Sequence, residues 1–414
     1  MSKKKGIQPG LRSLSKTEKT ILILLSRDLF KTSRSIPQDP DWEEVYQECL
    51  RQSVPILVWN ALDKAQIPVD TVERWKNTVI ASAYHNLQVA WQHLLVDRLM
   101  EKGRIPYVIL KGSASGAYYP APMDRIMGDV DFLVSPDHLE RAGEILKAEG
   151  FIPWEEEHIC HVVYRKENIH LEMHFEPAGV PYGKPGELVR EYMKDVMEQA
   201  REIQVEGEKL RVPSRFHHGL ILLLHTSHHL TGEGIGLRHL CDWAVFVASM
   251  TDEEFRQLFE EKLKAIGMWR FARLLTQTCI RYLGCPARPW TGKEEPDLTA
   301  AMIRDIFDGG NFGNKEENRK QEAYLISNRG KDGVGKRSIL WQLAASMNEV
   351  VRTHMPAAQK FPVLLPLGWV FYGGRYWIRM MKGQRPKIQP REMLEGASSR
   401  RELYRQFGLF QREQ

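Results

Sequence analysis

Long apolar runs and paired cysteines are both scarce in this sequence of 414 residues. Its most apolar late segment, 361–372, is interrupted by Pro362, Pro366 and Gly368, and it falls well short of the ~20 residues that a membrane-spanning helix needs. The five cysteines lack the paired spacing of a zinc site, and no apolar stretch follows the opening residues. We therefore expect no transmembrane segment and a location in the reducing cytoplasm.

An excess of charge is also missing, because the formal net charge is only +5. The basic residues collect at the ends: ten Lys or Arg stand against four Asp or Glu from Arg375 onward, and six against one in the first twenty residues. The middle of the chain has no interleaved basic and aromatic strip, so nucleic acid is the less expected partner. The basic C-terminal tail is either a solvated segment or a contact for a membrane surface or a partner protein.

The spacing of apolar residues predicts an α+β protein with a mixed sheet between helical regions. Branched apolar runs predict strands at IPYVILKG and GDVDFLV, and HVVYRK and NIHLEMHF predict a hairpin that turns at Glu167-Asn168. Gly103 is expected to end a long helix as a C-cap glycine. The predicted regions are an N-terminal helical region (1–103), an α/β core (104–213), a helical domain packed on it (214–290), a polar loop or linker (291–335) and a helical basic tail (336–414).

Two carboxylates stand on one of the predicted strands. Asp129 and Asp131 are separated by two, so their side chains project from one face, roughly 6 to 7 Å apart. The apolar neighbours predict a buried strand, on which each unpaired anion would cost on the order of several kcal/mol of folding free energy. A cation must therefore neutralise the two carboxylates. The motif alone leaves open whether that cation is a divalent metal or an Arg or Lys side chain.

The preceding strand ends at Lys111-Gly112-Ser113. A glycine lets backbone N–H groups approach a ligand, and an ammonium and a hydroxyl suit phosphate oxygens. Glu172, on a later strand of the same unit, can complete a set of three carboxylates. A phosphate-holding turn beside three carboxylates contains the protein parts of a two-metal site.

The order of these elements resembles the nucleotidyltransferase superfamily of DNA polymerase β type. That order is a strand, Gly-Ser, about fifteen residues, Asp-x-Asp on a strand and an acidic residue on a later strand. More closely, LKGSASGAYYPAPMDRIMGDVDFLV, HLEMHFEP, GLRHLCDW and LLPLGWVFYGGRYW resemble a bacterial family of uncharacterised nucleotidyltransferases often found among cell-surface polysaccharide genes. The Ser-Ala-Ser of this chain departs from the commonest superfamily turn.

The resemblance implies an enzyme that transfers a nucleoside monophosphate from an NTP, such as ATP, to an acceptor hydroxyl. It implies that Gly112 and Ser113 hold the triphosphate. It also implies that Asp129 and Asp131 coordinate Mg²⁺ or Mn²⁺, while Glu172 binds a second metal and helps to deprotonate the acceptor. The acceptor, whether a sugar, another small molecule or a protein, is not identified by these motifs, and a link to polysaccharide biosynthesis follows only from the resemblance.

Three further side chains are placed near this predicted site. Lys111 either neutralises triphosphate charge or pairs with one of the aspartates. Arg125 either reaches the phosphates or the acidic cluster, or remains a solvated surface group. His174 is predicted to contact the neighbourhood of Glu172 or the acceptor.

Histidines provide rival interpretations. His170, Glu172 and His174 alternate along one strand, which also suits a zinc or transition-metal site, and a histidine-rich metal hydrolase is therefore one alternative. A non-catalytic nucleotide-binding scaffold is another. His225, His228 and His229, on the predicted apolar helix, are expected to be satisfied core residues. Arg238 and Asp242 have the spacing of a helical ion pair.

Overall fold

A computed structural model of the chain describes residues 13–154, 160–181, 183–315, 361–381 and 390–409, together with the single residues 319, 347, 348, 351, 355 and 358. For 376–381 and 390–397 it describes the backbone alone.

Four helices come first: α1 (Lys16–Phe30), α2 (Trp42–Arg51), α3 (Pro55–Asn60) and α4 (Val69–Gly103). Helix α1 begins with a capping box, in which the Ser15 hydroxyl accepts from the Glu18 amide and the Glu18 carboxylate accepts from the Ser15 amide. The apolar side of α1 then packs on α2 and α3.

The predicted mixed sheet is present and has five strands in the order β1-β2-β5-β4-β3. The strands are β1 (Tyr107–Ile109), β2 (Val130–Val134), β3 (Ile152–Pro153), β4 (His161–Lys166) and β5 (Ile169–His174). Strands β4 and β5 form the predicted antiparallel hairpin, and Glu167 in its turn has a φ of 52°. Strand β2 pairs with β1 antiparallel and with β5 parallel. This parallel pair lies in the middle of the sheet, where β2 is buried along its whole length.

The sheet is followed by more helices and a small hairpin. A four-residue helix, α5 (Ser113–Gly116), follows β1, and α6 (Leu139–Ala148) follows β2. After the sheet come α7 (Lys184–Tyr192), the two-stranded hairpin β6 (Arg201–Val205) and β7 (Glu208–Val212), α8 (Arg215–Thr231), α9 (Leu237–Ala248), α10 (Asp252–Phe255), α11 (Glu261–Ile266), α12 (Trp269–Thr278) and α13 (Pro296–Gly309). The last described helices are α14 (Leu365–Met381) and α15 (Pro390–Gln406).

The expected role of Gly103 as a C-cap is wrong. Gly103 is the last residue of α4, and Arg104 adopts the left-handed cap conformation with a φ of 54°. A Cβ at Gly103 would lie 2.2 Å from Cδ1 of Ile145 on α6. A side chain at Gly103 would therefore displace the Ile145 side chain, so close packing of α4 on α6, and not the backbone conformation, favours glycine at this position.

The buried apolar residues form two clusters. One contains the sheet, α6 and the second half of α4. The other joins the N-terminal helices to α8, α9, α12 and α13, and it includes Trp75 on the first half of α4. Helix α4 therefore belongs to both clusters and fixes the sheet against the helices. The predicted domain boundaries stay predictions.

The predicted polar linker of 291–335 is wrong for 296–309, which form α13. Met302, Ile303, Ile306 and Phe307 recur at helical spacing, and all four are fully buried. The rest of that segment from residue 320 lies outside the described residues.

The C-terminal region is described in part. Tyr404 and Phe407 at the end of α15 are buried in the helical cluster. By contrast, five large apolar side chains between 361 and 371 are exposed: Phe361, Val363, Leu367, Val370 and Phe371. None of the helices in the described ranges is both long enough and apolar enough to cross a bilayer.

Candidate active site

A cavity of about 460 Å³ lies between the sheet and helices α8 and α9. The predicted site residues that line it are Lys111, Gly112, Arg125, Asp129, Asp131, Glu172 and His174. Its helical wall contains His225, His228 and His229 of α8 and Arg238, His239 and Asp242 of α9. The fold thus brings the predicted metal and phosphate residues into one cavity, together with helix residues that were assigned to structural roles. Ser113 is not among its lining residues.

Two of the three predicted carboxylates lie side by side. In the parallel pairing of β2 with β5, Asp131 is directly opposite Glu172. Side chains at paired positions of neighbouring strands project from the same face of a sheet. Strands that are distant in the sequence therefore place two carboxylates on one surface of the cavity.

Asp131 is buried and has two cationic partners. Its Oδ1 lies 3.0 Å from the Lys111 ammonium and 3.0 Å from Nε2 of His174. Burial by itself raises the pKa of the Asp131 carboxyl, but the charge of Lys111 and the hydrogen bond from His174 outweigh burial and hold that pKa well below its usual range. Asp131 is therefore an anion in this structure, and it is neutralised by side chains of the protein.

His174 connects the two carboxylates. Its Nε2 lies 3.4 Å from Oε2 of Glu172 as well as 3.0 Å from Asp131. Burial lowers the pKa of this imidazole, but hydrogen bonds with Asp131, Cys160 and Glu172 raise it well above its usual value. The raised pKa favours the protonated imidazole, whose Nε2–H donates to Asp131 and faces Glu172.

Two sets of potential metal ligands occur among the described residues: Asp131 with Glu172 and His174, and Cys160 with His161 and His174. Within each set the ligand atoms lie within 4.8 Å of one another. His170 belongs to neither set, so the alternating arrangement of His170, Glu172 and His174 does not gather three ligand atoms in this part of the chain.

Asp129 differs from Asp131 in its surroundings. It precedes β2 by one residue and is exposed where it lines the cavity. Partial burial, followed by repulsion from Glu172 and Asp131, raises the pKa of its carboxyl. Asp129 belongs to neither set of potential metal ligands, so the described side chains bring together two of the three predicted carboxylates.

The Gly112-Ser113 turn is packed against His93 of α4. The Ser113 hydroxyl lies 2.9 Å from Nδ1 of His93 and is buried. Gly112 has a φ of 59°, and a Cβ on it would lie 2.3 Å from Cε1 of His93. The sequence predicted that this glycine makes room for a ligand. In the structure it makes room for the buried ring of His93, which no sequence motif had marked.

Gly112→Ala is expected to lower the free energy of unfolding by about 2 to 4 kcal/mol, since a strained backbone is combined with overlap of a buried ring. Chemical denaturation measures this change. Gly207→Ala is the matched control, because Gly207 also has a positive φ, 84°, but a Cβ there meets nothing within 4 Å. Equal losses of stability in Gly112→Ala and Gly207→Ala would contradict a packing role for His93. The double variant Gly112→Ala/His93→Ala is expected to recover part of the stability lost in Gly112→Ala.

Arg125 is neither a solvated group nor free in the cavity. Its Nε lies 2.7 Å from Oδ1 of Asp242, and its NH2 lies 2.8 Å from Oδ2 of the same residue. The hydroxyl of Tyr119 donates to Asp242 at 2.7 Å. The predicted ion pair between Asp242 and Arg238 is therefore wrong: Asp242 is occupied by Arg125, and Arg238 donates instead to the carbonyl of Ile126 at 3.1 Å.

The expectation of a satisfied core residue is wrong for His225 of α8. Nδ1 of His225 is buried without a hydrogen-bond partner, and so are both ring nitrogens of His239 on α9. His225, His229 and His239 form a ring cluster, with 4.4 Å between the centroids of the first two and 5.4 Å between those of His225 and His239. Helical periodicity predicts only that these histidines lie on the apolar face of a helix. It does not predict that this face forms a wall of the cavity.

A family model described as an uncharacterised nucleotidyltransferase matches residues 38–284 of the chain. This stretch contains β1 to β5, α8 and α9, and every cavity-lining residue named above. No curated protein and no solved structure matches the chain.

Proposed function

The chain belongs to the uncharacterised nucleotidyltransferase family, and we propose that it transfers a nucleoside monophosphate from an NTP to an acceptor hydroxyl, using Mg²⁺ or Mn²⁺. The proposed metal ligands are Asp129, Asp131 and Glu172. The observation that carries the proposal is the parallel register of β2 and β5, which sets Asp131 beside Glu172 in a cavity that Asp129 also lines.

The donor groups suit a divalent cation. Carboxylate oxygens are the ligands that Mg²⁺ and Mn²⁺ prefer, and an oxygen of Asp131 and an oxygen of Glu172 lie within 4.8 Å of each other. Burial, and then repulsion from Glu172 and Asp131, raises the pKa of the Asp129 carboxyl, and a bound cation would offset that repulsion. When bound, the metal would stabilise charge on the phosphoryl oxygens and lower the pKa of the acceptor hydroxyl.

Lys111 and His174 have a second role in this proposal. Both now neutralise Asp131, so a cation that binds this carboxylate competes with them. A Lys111 ammonium released from Asp131 remains at the cavity wall, where it can pair with the triphosphate. His174 stays beside Glu172 and is the side chain proposed to contact the acceptor.

The acceptor is proposed to be a sugar, another small molecule or a protein side chain, with ATP or another NTP as the donor. A cavity of about 460 Å³ is in the range of small-molecule sites. A role in surface polysaccharide synthesis, a cytoplasmic location and a contact of the basic C-terminal tail with a membrane or a partner belong to the same proposal.

Metal-dependent nucleotide binding tests the proposed function. Asp129→Asn/Asp131→Asn is expected to reduce Mg²⁺-dependent ATP binding at least tenfold, since two anionic ligands are lost, while the far-UV spectrum and the melting temperature persist. Titration calorimetry with and without Mg²⁺ measures the change. Asp137→Asn, which alters an exposed aspartate near the end of β2, is the matched control and is expected to bind as the wild type does.

Three results would count against the proposal. Undiminished binding in the double variant would remove the carboxylates from the site. Nucleotide that is bound but never transferred to any cell fraction would favour a non-catalytic scaffold. Stoichiometric zinc in the purified protein that is lost in His161→Ala would favour the set of Cys160, His161 and His174 and a metal hydrolase.

A further inference from the structure

The helical wall of the cavity contains a cation that no carboxylate neutralises. Among the described residues, the cations that line the cavity are Lys111, Arg125 and Arg238, apart from histidines. Lys111 is in contact with Asp131, and Arg125 is in contact with Asp242. Arg238 makes neither kind of contact: its NH1 donates to the carbonyl of Ile126, and its Nε is buried without a partner.

The electrostatic surroundings of Arg238 compensate its charge only in part, and its guanidinium lies over the ring of Phe312 at 5.9 Å. Burial and then repulsion from Arg125 lower the pKa of its guanidinium, although Asp242, Tyr119 and Asp131 act in the opposite direction. A half-buried cation with this little compensation is stabilised by an anion that enters the cavity. Arg238 is also close to the carboxylates, since its NH1 would lie 3.9 Å from a Cβ at Gly128, the residue before Asp129.

Neighbouring side chains on this wall also lack polar partners. His239 is 3 % exposed, and neither of its ring nitrogens has a hydrogen-bond partner. Its ring stacks on that of His225, whose Nδ1 is unpartnered as well. Leaving buried donors and acceptors unpaired costs free energy, which a polar ligand at this end of the cavity would recover.

The turn expected to hold phosphates is poorly able to do so alone. The Ser113 hydroxyl is bonded to His93, and the space above Gly112 is filled by the same ring. Lys111 is the one side chain of that turn that lines the cavity, and it is shared with Asp131. Most of the charge that a triphosphate requires must therefore come from another part of the cavity.

We propose that Arg238, in the first turn of α9, binds phosphate oxygens of the nucleotide, with His239 and His225 donating to the same group. The assignment rests on the proposed function, because it takes the nucleoside triphosphate as the ligand. The first turn of a 12-residue helix adds its own positive end to the site. The planar guanidinium suits phosphate oxygens because it donates two parallel hydrogen bonds. Glu233, Asp129 and Glu172 also line the cavity, so the divalent cation is required to balance the charge of the phosphates.

The test uses inorganic tripolyphosphate, which presents phosphates without a base or sugar. Titration calorimetry in the presence of Mg²⁺ compares the wild type with Arg238→Gln for tripolyphosphate and for ATP. The variant is expected to bind both at least tenfold more weakly, since it loses a charge-assisted, two-pronged contact. Arg238→Lys keeps the charge but loses the planar two-pronged donor group. Its affinities for tripolyphosphate and ATP are expected to lie between those of the wild type and Arg238→Gln. Arg98→Gln removes an exposed arginine of α4 and is expected to leave both affinities unchanged.

Two measurements separate phosphate binding from a structural role. They are the affinity for Mn²⁺ alone, measured by electron paramagnetic resonance, and the melting temperature. Both are expected to stay at wild-type values in Arg238→Gln. The proposal is overturned if the variant binds tripolyphosphate and ATP normally, if the wild type does not bind tripolyphosphate, or if Mn²⁺ affinity falls together with phosphate affinity. A variant that loses phosphate affinity while the wild type shows no nucleotide transfer would support this subsite and contradict the proposed function.

Discussion

Asp242→Ala is expected to lower the free energy of unfolding by about 3 to 5 kcal/mol, because it leaves a buried arginine without its partner. Arg125 and Asp242 are 4 % and 5 % exposed, and two hydrogen bonds of 2.7 and 2.8 Å join them. The hydroxyl of Tyr119 loses its acceptor as well. Guanidinium denaturation at pH 7.5 measures the loss.

A double variant identifies the cause of that loss. Arg125→Met/Asp242→Leu removes both charges, and it is expected to recover at least half of the stability lost in Asp242→Ala, since apolar side chains of similar volume avoid the buried unpaired charge. Glu43→Ala breaks a pair with Arg74 in which both side chains are about half exposed, and it is expected to change stability far less. If Glu43→Ala proves as costly as Asp242→Ala, burial is not the cause.

Lowering the pH from 7.5 to 5.5 is expected to destabilise the protein by about 5 kcal/mol, since each histidine kept neutral in the folded state costs about 1.4 kcal/mol one pH unit below its unfolded pKa of roughly 6.5. The five histidines with the large downward pKa shifts are His93, His218, His225, His229 and His239. Burial also lowers the pKa of His217, which acts in the same direction. Burial lowers the pKa of His93 to about 4, that of His218 to about 3 and that of His229 to about 2. Burial also lowers the pKa values of His225 and His239 well below the usual range.

The sign follows from proton binding. A group whose pKa is lowered on folding binds fewer protons in the folded state, so its contribution to stability is present above pH 6.5 and is lost as the pH falls through that value. The raised pKa values of His174 and Asp28 act in the opposite direction and reduce the total. The melting temperature and the denaturation midpoint should therefore both decrease steadily between pH 7.5 and 5.5.

Two variants check this assignment. His218→Gln removes a buried histidine outside the proposed site. It is expected to reduce the loss of stability between pH 7.5 and 5.5 by the contribution of one histidine. His85→Gln removes an exposed histidine and is expected to leave it unchanged. A stability that is flat between pH 7.5 and 5.5 would contradict the assignment of neutral buried histidines.

Local patterns were sufficient to predict most of the elements near the site. Branched apolar runs located β1, β2 and the β4–β5 hairpin, since a strand alternates its side chains and a tight turn needs only a few polar residues. The motifs around Asp129 and Glu172 were sufficient to identify the family, because sequence spacing fixes which side chains follow each strand. The helix α13 was missed because its polar and glycine-containing flanks obscured four buried apolar residues.

The sequence by itself determined strands β1, β2, β4 and β5, the candidate carboxylates and the family of this protein. Tertiary structure alone decided which residues are in contact. Asp131 lies opposite Glu172 because β2 pairs in parallel with β5. Arg125 contacts Asp242, which lies on α9, 117 residues later in the chain. The physical reason is that spacing fixes the direction of a side chain within one element, whereas its partner depends on how separate elements pack. The same packing leaves Arg238 without a carboxylate and makes it the cation proposed to bind phosphate.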